Sequence, residues 1–189
     1  MHTFYDQNLV KIDFAIQDLE KGSYENCCFE GCQFNQVDLS KIEFSNCQFT
    51  DCIFTSPNLS LTAFKEVTFI SCKLVGLHFE HCSPFLFEAI FENCALQLCS
   101  FYKMKLKYCS FSKSTLQEID FTESDVSGIV FDSCDLTRSV FEQTNLEQTN
   151  FKTATNFSIN LASNKVKGAK FSADNLKGLL EFYKISIEE

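Results

Sequence analysis

The sequence predicts an all-β fold, a right-handed, four-sided β-helix in which tandem five-residue repeats wind into nearly nine coils. Three observations carry that prediction. Large apolar residues recur at every fifth position, small residues recur two positions before them, and residues twenty apart match in kind.

The first series starts at Phe4 and runs through Leu9, Phe14, Leu19, Tyr24, Phe29, Phe34 and Leu39 to Phe79 without a polar residue. After a two-residue slip at His81 to Phe85 it resumes at Leu86 and continues through Phe91, Leu96, Phe101, Leu106 and Phe111 to Phe151. It then passes Asn156, Leu161, Val166, Phe171 and Leu176, with Phe157 available to fill the gap at Asn156. The second series holds Cys27, Cys32, Val37, Ile42, Cys47, Cys52, Val67, Cys72, Cys82, Cys94, Cys99, Cys109 and Cys134, so ten of the eleven cysteines share one repeat position. Cys28 is the exception and should point outward.

A period of five fits neither the 3.6 of an amphipathic helix nor the 2 of an alternating strand. It fits a coil of flat sides, each one pentapeptide whose centre and centre-minus-two residues face inward. Four sides close a coil, and residue n stacks on n+20. Phe29, Phe49 and Phe69 then form one column, and Phe91, Phe111, Phe131, Phe151 and Phe171 another. At roughly 4.8 Å per coil the rod should be about 40 Å long.

From Ser172 the pattern changes. Leu176, Leu179, Leu180 and Tyr183 lie at helical spacing, with Ser172 as N-cap and Asp174 in the first turn. Ile185 and Ile187 then alternate with polar residues like a short strand. The expected division is residues 1–171 as β-helix and 172–189 as a C-terminal helix and strand. Two readings of that segment stand open: a lid on the last coil, or a lid that also forms a two-fold dimer interface through Leu176, Leu179, Leu180, Tyr183, Ile185 and Ile187.

Repeats such as Cys47-Gln48-Phe49-Thr50-Asp51 and Ser124-Asp125-Val126-Ser127-Gly128 resemble the pentapeptide-repeat family over residues 4–176. The runs Asn156-Phe157-Ser158-Ile159-Asn160 and Lys165 to Phe171, with Gly178-Leu179-Leu180, resemble more narrowly the Qnr/McbG subgroup of quinolone-resistance and microcin-immunity proteins. That resemblance implies a head-to-head homodimer built by the C-terminal helix and strand, and an acidic rod that imitates duplex DNA and binds type II topoisomerases, DNA gyrase or topoisomerase IV. Plasmid-type Qnr members carry long projecting loops. The only interruption here is the slip near Cys82-Ser83-Pro84-Phe85-Leu86-Phe87, which is similar to loop-free members.

The residues themselves argue against chemistry. Cysteine pairs five apart, such as Cys94 and Cys99, lie on adjacent sides of the coil, whereas structural zinc sites use closer pairs that converge. A thiol in that position fills space beside Phe or Leu. His2, His78 and His81 stand apart from any nucleophile spacing, and no glycine-rich phosphate loop occurs. No catalytic residue, metal or cofactor is expected. The start lacks a signal-peptide pattern and the cysteines suit a reducing compartment, so the expected location is cytoplasmic.

Charge carries more. The formal net charge is −9, which disfavours direct binding to nucleic acid or an anionic membrane. Residues 1–102 hold 13 acids and 5 bases, and residues 118–147 hold 8 acids and one base, Arg138; Lys103, Lys105, Lys107 and Lys113 lie between. On the side centred on Leu19, Leu39, Leu59, Phe79, Phe101, Phe121, Phe141 and Leu161, the flanking positions carry Asp18, Glu20, Asp38, Glu80, Asp120 and Glu142, and no Lys or Arg. One reading is a solvated face that keeps the rod from associating. The other is an array of carboxylates that docks in a basic groove of a protein partner. Outward Phe85 and Phe87 at the slip would either anchor a partner or plug the kink.

Overall fold

The computed structural model describes residues 2–183 and 185. It is a parallel solenoid whose strands stack in register at twenty-residue intervals, as in Phe44↔Phe64, Phe29↔Phe49 and Phe34↔Phe54. Three sides are sheets of four, seven and five strands. The four-stranded sheet runs from Thr3–Tyr5 to Ala63–Lys65, the seven-stranded from Asn8–Val10 to Phe131–Asp132, and the five-stranded from Gln33–Asn35 to Thr115–Gln117. Seven strands make six turns of regular pairing. The nearly nine coils read from the sequence overstate this part, because the later rungs, Val130↔Asn150 and Asn150↔Lys170, are held by isolated bridges. The fourth side, centred on Leu39, Phe79, Phe101, Phe121 and Phe141, is made of such bridges: Asp38↔Asn58, His78↔Ser100, Ser100↔Asp120 and Asp120↔Val140.

The interior explains the five-residue period. Centre residues stack ring on ring one coil apart, with Phe34–Phe54 at 4.3 Å, Phe91–Phe111 at 5.1 Å and Phe131–Phe151 at 5.1 Å between centroids. Rings on adjacent sides meet edge to face, as Phe49 does Phe54 at 5.4 Å. Many corners are turned by a residue two past the centre held at positive φ, including Asp6, Lys11, Asn26 and Gln36. That conformation is costly outside glycine. Here it aims each backbone N–H at the carbonyl nineteen residues on: Asp6 to Glu25, Lys11 to Glu30, Asn26 to Ser45, Gln36 to Thr55.

The cysteine position acquires a second reason. The thiols of Cys47, Cys52 and Cys72 donate to the carbonyl oxygens of Tyr24, Phe29 and Phe49, each 23 residues earlier, at 3.2–3.3 Å. Hydroxyls at the same repeat position do likewise: Thr62 to Leu39, Ser139 to Leu116, Thr144 to Phe121 and Thr149 to Val126. The position therefore selects small side chains with a donor, since a buried carbonyl left unpaired is costly.

Two expectations change at the slip. Leu86 does not resume the series: it adopts φ +56° at a corner and lies exposed, while Phe87 turns inward, 5% exposed, against Phe64 and Phe79. Phe85 alone of the pair points out, at 67% exposure. The regular pairing resumes two residues late, Phe69↔Phe91, and in the slip itself Phe87 takes the place in the apolar column expected of Leu86. Phe157 is buried beside Phe151 and Phe171 and does fill the gap at Asn156.

The C-terminal segment is a short α-helix, Lys177–Leu180, between 3-10 turns Ala173–Asn175 and Glu181–Tyr183. Ser172 stands at its start, where its N–H donates to the Asn175 side-chain oxygen. The Asn175 amide group donates to the Phe151 and Ala154 carbonyls at 2.9 and 3.0 Å, which fastens the segment to the last coil. A Cβ on Gly178 would overlap the Phe157 carbonyl oxygen, so only glycine permits this approach.

Burial pushes the Cys47 and Cys109 thiols up to about 12 and those of Cys99 and Cys134 to about 11. Cys28 is exposed. Titration of the native protein with dithionitrobenzoate at neutral pH should release one fast equivalent, lost in Cys28→Ser. All eleven thiols should react after unfolding. More than one fast thiol would mean that the solenoid opens readily.

Candidate acidic interface

The six carboxylates singled out on the fourth side occupy two kinds of position. Asp18, Asp38 and Asp120 precede a centre; Glu20, Glu80 and Glu142 follow one. The distinction is structural. Where the chain turns without a strand, an Asp or Asn before the centre accepts the backbone N–H two residues on. Asp38 accepts from Ser40 at 3.0 Å, Asn58 from Ser60 at 3.0 Å and Asp120 from Thr122 at 2.8 Å. The longer Glu side chains make no such turn, and Asn serves the purpose as well as Asp.

The side is also less purely acidic than its flanking positions imply. Lys21, at a corner, folds across it: its ammonium lies 2.9 Å from Asp38 Oδ2 and donates to the Asp38 and Ser40 carbonyls at 2.7 and 3.0 Å. Lys103, at another corner, reaches Glu123 at 3.4 Å and lies over its neighbour's ring, Tyr102. Glu80 Oε1 is 3.0 Å from His78 Nδ1. Glu142 accepts from the Ser163 hydroxyl at 3.2 Å. Among the described residues Asp18, Glu20, Asp120 and Glu142 make no ion pair. Asp18 and Glu20 lie on the first row of this side and Asp120 and Glu142 on its sixth and seventh, with the paired Asp38 and Glu80 and the uncharged Ser100 and Tyr102 between. Sequence reasoning missed the corner lysines because it scored only positions beside a centre.

The expected apolar face of the C-terminal helix is divided. Leu179 is 8% exposed and seals the last coil, Leu180 is half-buried, and Leu176 is 43% exposed instead of joining the solenoid column. Phe182, Tyr183 and Ile185 are exposed beside it. Ile187, and with it the expected short strand, lies outside the described residues.

Two family models match the chain, the pentapeptide repeat region over residues 42–121 and pentapeptide repeats in eight copies over residues 114–152. The chain belongs to the pentapeptide-repeat family. Among solved members, HetL, a pentapeptide repeat protein involved in heterocyst differentiation regulation from the cyanobacterium Nostoc sp., is 15% identical. It covers 89% of this chain and 86% of its own, with a TM-score of 0.51. That likeness is one of fold. A trypsin-treated variant of QnrB1, a plasmid-mediated fluoroquinolone resistance protein, is 19% identical over 97% of this chain and 100% of its own, at a TM-score of 0.47. A comparison with curated protein sequences gave no match. Within this family fold no helix is long and apolar enough to cross a membrane, and no three His, Cys, Asp or Glu side chains among the described residues converge as a metal site.

The hydrogen bond from Lys21, with further ones from Ser40, holds the Asp38 carboxyl down at about 2. Because this value is depressed relative to an unfolded Asp, near 3.9, the pairing stabilises the fold above about pH 4 and is lost as pH falls through about 2. An NMR titration should place the Asp38 midpoint near the lower value and return it toward the higher one in Lys21→Ala. A wild-type midpoint near the unfolded value would show that Lys21 leaves Asp38 free in solution.

Proposed function

We propose that this protein is a non-enzymatic binding protein that presents the acidic side of its rod to the basic DNA-binding surface of a type II topoisomerase, DNA gyrase or topoisomerase IV. The supporting observation is the set of unpaired carboxylates Asp18, Glu20, Asp120 and Glu142 along one side of a rigid solenoid. The resemblance of the C-terminal repeats to the quinolone-resistance subgroup points to the same partner. Duplex DNA presents a charge about every 1.7 Å of axis, far denser than this side. Docking by mimicry would therefore use the rod's shape and a second copy to lengthen the charged surface.

A second copy would join through the C-terminal segment, where Leu176, Phe182, Tyr183 and Ile185 are all exposed; these apolar side chains support the reading of a two-fold contact with another protomer. Protection or inhibition of the topoisomerase would follow from occupying its DNA groove. A second reading is favoured by the turn bonds at Asp38 and Asp120: a general interaction scaffold on which these acids serve the fold alone.

A gyrase supercoiling assay with the protein titrated in, with and without a fluoroquinolone, tests the first reading. Because Asp→Lys would remove the turn bonds, the informative variant is Asp18→Asn, Glu20→Gln, Asp120→Asn and Glu142→Gln combined. It should fold with unchanged denaturation midpoint yet lose the effect on supercoiling, and the wild-type effect should weaken as salt rises. No effect of the wild type on supercoiling would leave the scaffold reading, and equal effects of wild type and variant would remove these carboxylates from the interface.

Light scattering should give twice the 21.6 kDa chain mass, and Leu176→Glu with Tyr183→Glu should return it to the single-chain value. These side chains are exposed, so the substitution spares the coil beneath. A single-chain mass for the wild type would reduce the C-terminal segment to a lid.

A further inference from the structure

The slip builds something the regular coils lack. Phe69 pairs with Phe91 and Leu74 with Leu96, twenty-two residues on instead of twenty. After Phe79 the corner is replaced by one 3-10 turn, Phe79–His81. The chain then carries Pro84, Phe85 and Leu86 outward before returning Phe87 to the core. Beside this loop is a cavity of about 600 Å³ with Cys82, Pro84, Phe87 and Met104 as apolar walls and Glu80 and Lys105 among its polar groups. That volume lies within the range of small-molecule sites.

Glu80 is the unusual wall. Its Oε1 faces His78, but Oε2 is enclosed and is the one buried side-chain oxygen or nitrogen among the described residues without a hydrogen-bond partner. Buried polar groups in proteins are almost always satisfied, so an orphan carboxylate oxygen at a cavity calls for a donor. The two nearby ammonium groups do not supply it. Lys103 is held over Tyr102 and by Glu123, and Lys105 makes no ion pair with Glu80 and lies near enough to the Asp125 carboxyl to help lower it.

We propose that this cavity binds a small molecule with an apolar body and an amine, which packs between Phe87, Pro84 and Met104 and donates an N–H to the Glu80 carboxylate. A rotation of the side chain, 20% exposed and held by its single bond to His78, brings Oε2 to the ligand. An anionic ligand of the same shape is disfavoured by that carboxylate. Glu80 lies on the same side as the carboxylates of the proposed docking face, but the test of this site does not depend on topoisomerase binding.

Phenethylamine and phenylacetate, matched in ring and length and opposite in charge, serve as probes on the full chain. Binding is followed by NMR at the Met104 methyl and the Phe87 ring. Phenethylamine should shift both saturably, with a dissociation constant on the order of millimolar for so small a ligand. Phenylacetate should bind about tenfold more weakly, and Glu80→Gln, isosteric with the native side chain, should weaken the amine by about the same factor. Equal binding of the two probes, unchanged binding in Glu80→Gln, or no shift at Met104 would overturn the proposal. So would a crystal structure in which an ordered water occupies Glu80 Oε2 and persists at saturating amine. The comparison of the two probes on the wild-type chain holds whether or not the variant folds.

Discussion

Ring stacking between successive coils is the constraint from which the rest of the structure follows. A phenyl ring one coil above another, as Phe91 is above Phe111 at 5.1 Å and 5° between planes, fixes both the rise of the solenoid and the phase of the winding. Each buried ring contributes on the order of 1.5–3 kcal/mol, and the columns are continuous, so a change of phase anywhere would expose every residue beyond it. The slip shows how strictly this holds. Two residues are inserted, yet Phe69–Phe91 and Phe79–Phe101 stay stacked, at 5.1 and 4.7 Å, because the surplus is expelled as Phe85 and Leu86. The interior is conserved in phase, and the surface absorbs the irregularity.

That division explains what could be read from the sequence. Inward positions obey one rule repeated along the chain, so the period, the coil and the burial of ten cysteines were legible from residue spacing. Positions outside the columns obey no such rule. Nothing in Pro84-Phe85-Leu86-Phe87 says which aromatic turns in, since both are equally apolar and the answer depends on where the corner falls. Similarly, Lys21 and Asp38 are seventeen residues apart and meet only because a corner residue reaches into the next coil. The C-terminal helical spacing was real, but one turn of α-helix flanked by 3-10 turns does not keep a 3.6-residue face, and Leu179 is buried while Leu176 is exposed.

The cysteines illustrate how one repeat position can meet two demands. Space beside a stacked ring admits only a small side chain, and the carbonyl 23 residues earlier needs a donor. Ser, Thr and Cys satisfy both, and Val or Ala only the first. A composition rich in cysteine thus arises from packing and hydrogen bonding, and at Cys47, Cys99, Cys109 and Cys134 burial raises the thiol and makes it a poor nucleophile.

The same separation of demands bears on the acidic side. A turn bond before the centre can be made by Asp or Asn, and the chain uses Asn at Asn58, Asn145, Asn150 and Asn160 and Asp at Asp13, Asp38, Asp120, Asp125 and Asp135. The fold is indifferent to that choice; only the charge differs. After the centre no turn bond is available, so Glu20, Glu80 and Glu142 owe nothing to the winding of the chain. Charge at these positions exceeds what the solenoid requires, and it gathers on the side that has bridges in place of strands. There the coils are joined by single bridges and present no strand, so recognition falls to side chains. A partner that reads this side would respond to carboxylate placement, and the fold would stand unchanged when those carboxylates are neutralised.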